Sequence, residues 1–196
     1  MKLYLALPAF AIVLTGCIEK DAQSDGLEKS ITSIKEVKIN ADSPDMTVKS
    51  WWRLRDAAII LDVENCKFYL RKAADYSAKV SQLSTDSVHT GPTCEGEPLT
   101  FDRQITNVDV QSDTRAVVTA QIKNTTPPEK GSTLESADKK AKEAGAPYRY
   151  ILEREEASGP WKISKVLTMP SYADTWEEVF TAPLLLNHRW VYETYQ

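Results

Sequence analysis

Residues 148–167 read YRYILEREEASGPWKISKVL. Tyr148 to Leu152 carries aromatic and β-branched side chains at strand spacing. Ser158-Gly159-Pro160 punctuates the chain, and Trp161 to Leu167 returns as a second strand, so the stretch reads as a hairpin. Working toward the N-terminus, Ala116, Val118, Ala120 and Ile122 alternate cleanly, the period of a strand with one buried face. Ser112-Asp113-Thr114 makes the turn before them. Ile105, Val108 and Val110 lie near a strand ending at Gln111 with one irregular step. Residues 125–146 interrupt this pattern with prolines and an Ala/Lys/Glu-rich stretch from Leu134 to Ala144, closed by Gly145, which reads as a solvated helix. Four strands joined locally form an antiparallel meander.

Before the strands the period is helical. Ser43 is expected as an N-cap that accepts backbone amide bonds, Pro44 suits the first helical position, and Asp45 complements the helix dipole. Val48, Trp51, Trp52, Arg55, Ala58, Ile59 and Asp62 follow on one face. A second helix is expected from about Glu64 to Gln82, with Cys66, Tyr69, Leu70, Ala73, Tyr76 and Val80 inward. Residues 84–98 read as loop. The fold class is therefore α+β, with N-terminal helices packed on an antiparallel sheet, a helical insertion and a C-terminal extension.

Ser43-Pro44-Asp45 through Trp51-Trp52, followed by Ala116–Ile122 and Tyr150–Val166, resembles the cystatin-like cone of the nuclear transport factor two-like superfamily. The likeness covers residues 43–168. It implies a curved sheet wrapped around a helix and a cone-shaped pocket, which some members use as an isomerase or dehydratase site. No catalytic set of that superfamily aligns here residue by residue. The insertion at 125–146 and the extension at 169–196 depart from the minimal pattern, which leaves open whether the pocket is accessible.

The N-terminus, MKLYLALPAFAIVLTGC, has a positive Lys2, an apolar run from Leu3 to Leu14 and small residues at Thr15-Gly16. Leu14-Thr15-Gly16-Cys17 resembles the lipobox of bacterial lipoproteins. The resemblance implies removal of residues 1–16, a diacylglycerol thioether on Cys17 and acylation of the new amino terminus, palmitate among the chains. Two or three acyl chains, at about 0.8 kcal/mol per buried methylene, make a stable membrane anchor. Ile18 differs from the aspartate that resembles an inner-membrane retention signal, so the expected location is the outer membrane, facing the periplasm. Residues 17–42 are polar and free of aromatics and are expected to be a weakly ordered tether, with an end-to-end distance of roughly 25–30 Å. Leu27, Ile31, Ile34 and Val37 nevertheless fall at helical spacing within it.

With Cys17 lipidated, Cys66 and Cys94 remain, an even pair in an oxidising compartment. A bridge between them is expected; two buried free thiols are the alternative. His89 and His188 lie far apart and no ligand pair has metal spacing, so no metal or cofactor is expected. Hydrophobic residues make up 42% of the 196 and charged ones 27%, too apolar for wholesale disorder. A net charge of −4 with mixed signs argues against nucleic-acid binding, which needs a clustered basic surface.

Trp51, Trp52, Tyr69, Tyr150 and Trp161 are candidates to line a pocket, with core filling as the plainer role. Neighbours on a helix diverge by about 100°, so Trp51 and Trp52 cannot face the same way. Residues 169–196 carry Tyr172, Trp176, Phe180, Trp190, Tyr192 and Tyr195, and are expected to pack on the domain. Trp176 to Phe180 suggests a short helix, and Arg189, Trp190 and Tyr192 form a candidate partner patch. The expected function is an envelope binding module, without enzymatic activity, for a protein partner or small ligand. Two alternatives stand beside it: a cavity enzyme of isomerase, dehydratase or hydrolase type, and an immunity or inhibitor lipoprotein against an envelope-targeted toxin.

Overall fold

The structure is a computed structural model that describes residues 20–67, 76–88, 97–128, 131–170 and 173–180. Cys17, Tyr69, His89, Cys94, Tyr172, His188, Arg189, Trp190, Tyr192 and Tyr195 lie outside the described residues. Four helices and five strands are described, in the order α1 (Lys20–Glu36), α2 (Pro44–Lys67), α3 (Tyr76–Leu83), β1 (Phe101–Ser112), β2 (Arg115–Asn124), α4 (Ser136–Ala144), β3 (Ala146–Glu153), β4 (Lys162–Thr168) and β5 (Glu177–Glu178). The strands form one antiparallel sheet in sequence order, β1-β2-β3-β4-β5.

Alternation builds this sheet. On β2, Ala116, Val118, Ala120 and Ile122 are buried while the residues between them are not. Short alanines at 116 and 120 leave room for the bulk to come from α2, where Trp51 and Leu54 are fully buried. Tyr150 and Leu152 on β3, with Ile163 and Val166 on β4, complete the inner face. The irregular step expected in β1 is a register shift between Ile105 and Asn107, which keeps Phe101, Arg103 and Ile105 in phase with Val108 and Val110 on that face.

Helix α2 is buried around much of its circumference because α1 and the sheet cover different sides of it. Its start differs from expectation. The Ser43 hydroxyl donates to the Asp45 carboxylate at 2.7 Å, and it is the Ser43 carbonyl that accepts from the Thr47 amide and hydroxyl. The hydrogen bond from Lys49, and then the one from Ser43, hold the Asp45 carboxyl below the ordinary carboxylate range. The helix also runs through Glu64 to Lys67, past the expected start of a second helix, and α3 covers the later part of that expected helix, with residues 68–75 outside the described ones.

The stretch expected to be a tether is α1. Ile34 is fully buried in the core, and Leu27, Ile31 and Val37 pack against it. Fully burying an apolar side chain such as Ile34 contributes about 1.5–3 kcal/mol, and its partly buried neighbours add to this in favour of the docked helix. The turn into α2 is tied down by Ser50, whose buried hydroxyl donates to the Asn40 carbonyl and accepts from the Asn40 amide.

The described part of the extension, residues 173–180, runs beside the sheet and not as the short helix expected from Trp176 to Phe180. Glu177–Glu178 pairs with β4, and the Val179 amide donates to the Val166 carbonyl. Phe180 meets the Trp51 ring edge-on at 5.8 Å, and the Arg149 guanidinium lies 4.1 Å from the centre of the Trp176 ring. The spacing of Trp176 and Phe180 suits a helix turn, yet β4 offers backbone partners that a helix would forgo.

Candidate functional site

Three of the residues expected to line a pocket instead fill the core. Trp51 is 2% exposed, Tyr150 3% and Trp161 3%. Trp52 points elsewhere, as its place next to Trp51 requires. It is half-buried, its Nε1 donates to the Tyr150 hydroxyl at 2.7 Å, and its ring meets the Tyr150 ring edge-on. Tyr69 lies outside the described residues.

Beside this pair sits a polar cluster that the sequence did not single out. Arg103 of β1 donates two parallel hydrogen bonds to Asp56 of α2, at 2.7 and 2.8 Å. Its guanidinium also lies over the rings of Phe101 at 4.8 Å and Trp52 at 5.9 Å. Arg103 is 12% exposed and Asp56 48%, so the pair lies at the margin of the core. Burial pushes the Tyr150 hydroxyl well above the ordinary phenol range, and the Trp52 hydrogen bond opposes this only in part. Within the cluster, Trp52 Nε1 and both terminal nitrogens of Arg103 each donate to an acceptor.

One step along the same face, beyond the end of the core, lies a cleft of about 480 Å³. Phe101, Ile122 and Tyr148 reach it from the ends of β1, β2 and β3, and Pro170 from just past β4. Register explains the convergence. Arg103 pairs with Ile122, Ile122 with Ala146, and Ala120 with Tyr148, so these side chains share the inner face. The other wall is α4, through Ala141 and Lys142.

Helix α4 buries none of its own residues, so side-chain packing does not hold it in place. Polar contacts at its C-terminal end do. Gln121 Nε2 donates to the Ala144 carbonyl at 2.7 Å, and Lys142 Nζ donates to the Thr126 carbonyl. Gly145 then turns the chain into β3 at φ +69°, where a Cβ would stand 2.4 Å from the Ile122 carbonyl oxygen. The insertion read from sequence as a solvated helix is thus also a wall of the cleft.

The chain matched no family model, no curated protein and no solved structure. Among the described residues, no three His, Cys, Asp or Glu side chains gather as metal ligands would. A cleft of this volume, with aromatic and aliphatic walls and a polar rim, can hold a small organic ligand. Its one sequence signal was the glycine closing the insertion, which marks where α4 must come close to β2.

Proposed function

We propose that the chain is an envelope lipoprotein, anchored through acyl chains on Cys17 to the outer membrane and facing the periplasm, whose domain is a non-enzymatic module binding a small ligand in the α4 cleft. The observation that carries the binding reading is the cleft itself, with apolar walls drawn from three strand ends and an inserted helix. The nearest interior polar groups are engaged with one another, and the buried Tyr150 hydroxyl keeps its proton. That favours binding over proton transfer. Helices preceding an antiparallel meander, with α2 against its inner face, support placing the domain with the cystatin-like cones of the nuclear transport factor two-like superfamily. The lipobox residues support the anchor, and an even cysteine pair supports a Cys66–Cys94 bridge.

Two experiments test this. Labelled palmitate is expected to enter the chain and to be lost in Cys17→Ala; equal labelling of both forms refutes the anchor. A set of small fluorinated organic probes, read by fluorine NMR line broadening, is expected to include binders displaced in Ala141→Trp. That residue is exposed on α4, so filling the cleft from there should leave the melting temperature within about a degree or two. Probes that bind the variant as well as the parent would show that the cleft is not the site.

A further inference from the structure

We propose that the cleft selects a small amphipathic anion: an organic carboxylate whose apolar body lies between Phe101, Ile122 and Tyr148 and whose head meets Lys142. This rests on the binding reading above and adds the chemistry of the ligand. Among the described residues lining the cleft, Lys142 is the one charged side chain. The adjoining groove across α4 adds Lys123 and Lys139 against a single Glu143. None of these three lysines is ion-paired with a carboxylate among the described residues. The rim is therefore positive on a chain whose net charge is −4.

The contrast with Arg103 sharpens the point. Arg103 is neutralised by Asp56, so it presents little charge to a ligand. Lys142 is held by the Thr126 carbonyl, a neutral acceptor, which fixes the ammonium at the rim and leaves its charge uncompensated. An ammonium has three N–H donors, so two remain for a ligand carboxylate. Asn124 stands on the same rim, with its Oδ1 already accepting from the Thr126 amide, so its side-chain NH₂ is turned to other partners. Apolar walls and donors confined to one rim fit a molecule with an apolar body and an anionic end. A neutral analogue keeps the body contacts and loses the charge-assisted bonds, whereas a cation meets repulsion.

The test titrates phenylbutyrate and its neutral amide against the purified full-length chain, by ligand-observed NMR at low and high salt. The acid is expected to bind about three- to tenfold more tightly than the amide at low salt, with the gap narrowing as salt rises. Lys142→Gln should erase the gap, read as the ratio of acid to amide affinity because Lys142 also helps to hold α4, and Lys142→Arg, which keeps both the charge and a donor for the Thr126 carbonyl, should retain it. Equal affinities in the parent chain, or a preference that survives Lys142→Gln, overturn the anion proposal. If Ala141→Trp still abolishes binding of both probes in that case, the cleft reading stands without it. A preference lost in Lys142→Gln but retained in Ala141→Trp would place the anion on the outer side of α4, and this too overturns the proposal. If neither probe binds the parent chain while members of the fluorinated set do, the carboxylate class is wrong and the cleft remains. If nothing binds, both fall together.

Discussion

The two ends of the sheet are built on opposite plans. At the end where β4 starts, Trp161 is buried, its amide donates to the Ala41 carbonyl, and Arg154 stacks 4.3 Å over its ring. There the residues after α3 also join β4: Ser84 bridges to Ile163, the Thr85 amide donates to the Ile163 carbonyl, and Ser87 donates to the Ser164 carbonyl. Backbone bonds and an aromatic plug close that end. At the other end the strands stop under α4, which rests on a few polar contacts and has no buried residue. One end holds the helices to the sheet, while the other spares enough apolar surface to receive a ligand. Under the proposed binding reading, stability and binding are separated along the strands.

The largest expected effect breaks the closed end. Trp161→Ala should cost about 3–5 kcal/mol, the usual range for removing a buried Trp, and lower the denaturation midpoint accordingly. A loss below about 1 kcal/mol would show that the Ala41 and Arg154 contacts do not depend on the ring. The next effect reports on the core between the two ends. Unfolded, Tyr150 ionises near pH 10.0, whereas burial keeps it protonated in the folded chain. Above that pH the unfolded state binds fewer protons, so stability falls as pH rises, by up to about 1.4 kcal/mol per unit. Tyr150→Phe should flatten that part of the alkaline profile, and an unchanged slope would contradict the burial of the hydroxyl. The smallest effect on stability belongs to the open end. Gly145→Ala places a side chain at a positive φ and against the Ile122 carbonyl, at a cost of about 1–2 kcal/mol. Most of that strain should be relieved by displacing α4, so probe binding in the cleft is expected to suffer more than the melting temperature.

Much of this architecture was readable where burial falls on one side only. The alternation from Ala116 to Ile122 identified β2 because α2 covers one face of it and not the other. Gly145 marked the end of α4 because only a glycine suits that approach to β2. Helix α1 was harder to read, because its core-facing Leu27, Ile31 and Ile34 sit among charged residues and its docking depends on a surface that α2 supplies. Trp176 and Phe180 misled for a related reason: their spacing matches a helix turn, but the partner that decides their backbone is β4. The cleft was illegible as a site. Phe101, Ile122, Tyr148 and Pro170 are separated by long stretches of sequence and meet only through strand register. The charge pairing of Arg103 with Asp56, which makes the unneutralised Lys142 distinctive, likewise exists only once α2 lies across β1.

The docking of α1 also sets a standoff distance. With the acyl chains on Cys17, as proposed, only Ile18 and Glu19 separate the lipid from the first residue of a 17-residue helix. A helix of that size is about 25 Å long, and from Leu27 onward its apolar side chains rest on the body of the protein. The reach left between bilayer and domain is then a few helical turns and not a slack cord. Such a mooring would keep the domain close to the headgroups, with a preferred side toward the membrane, and confine its search for ligands to a thin layer above the surface.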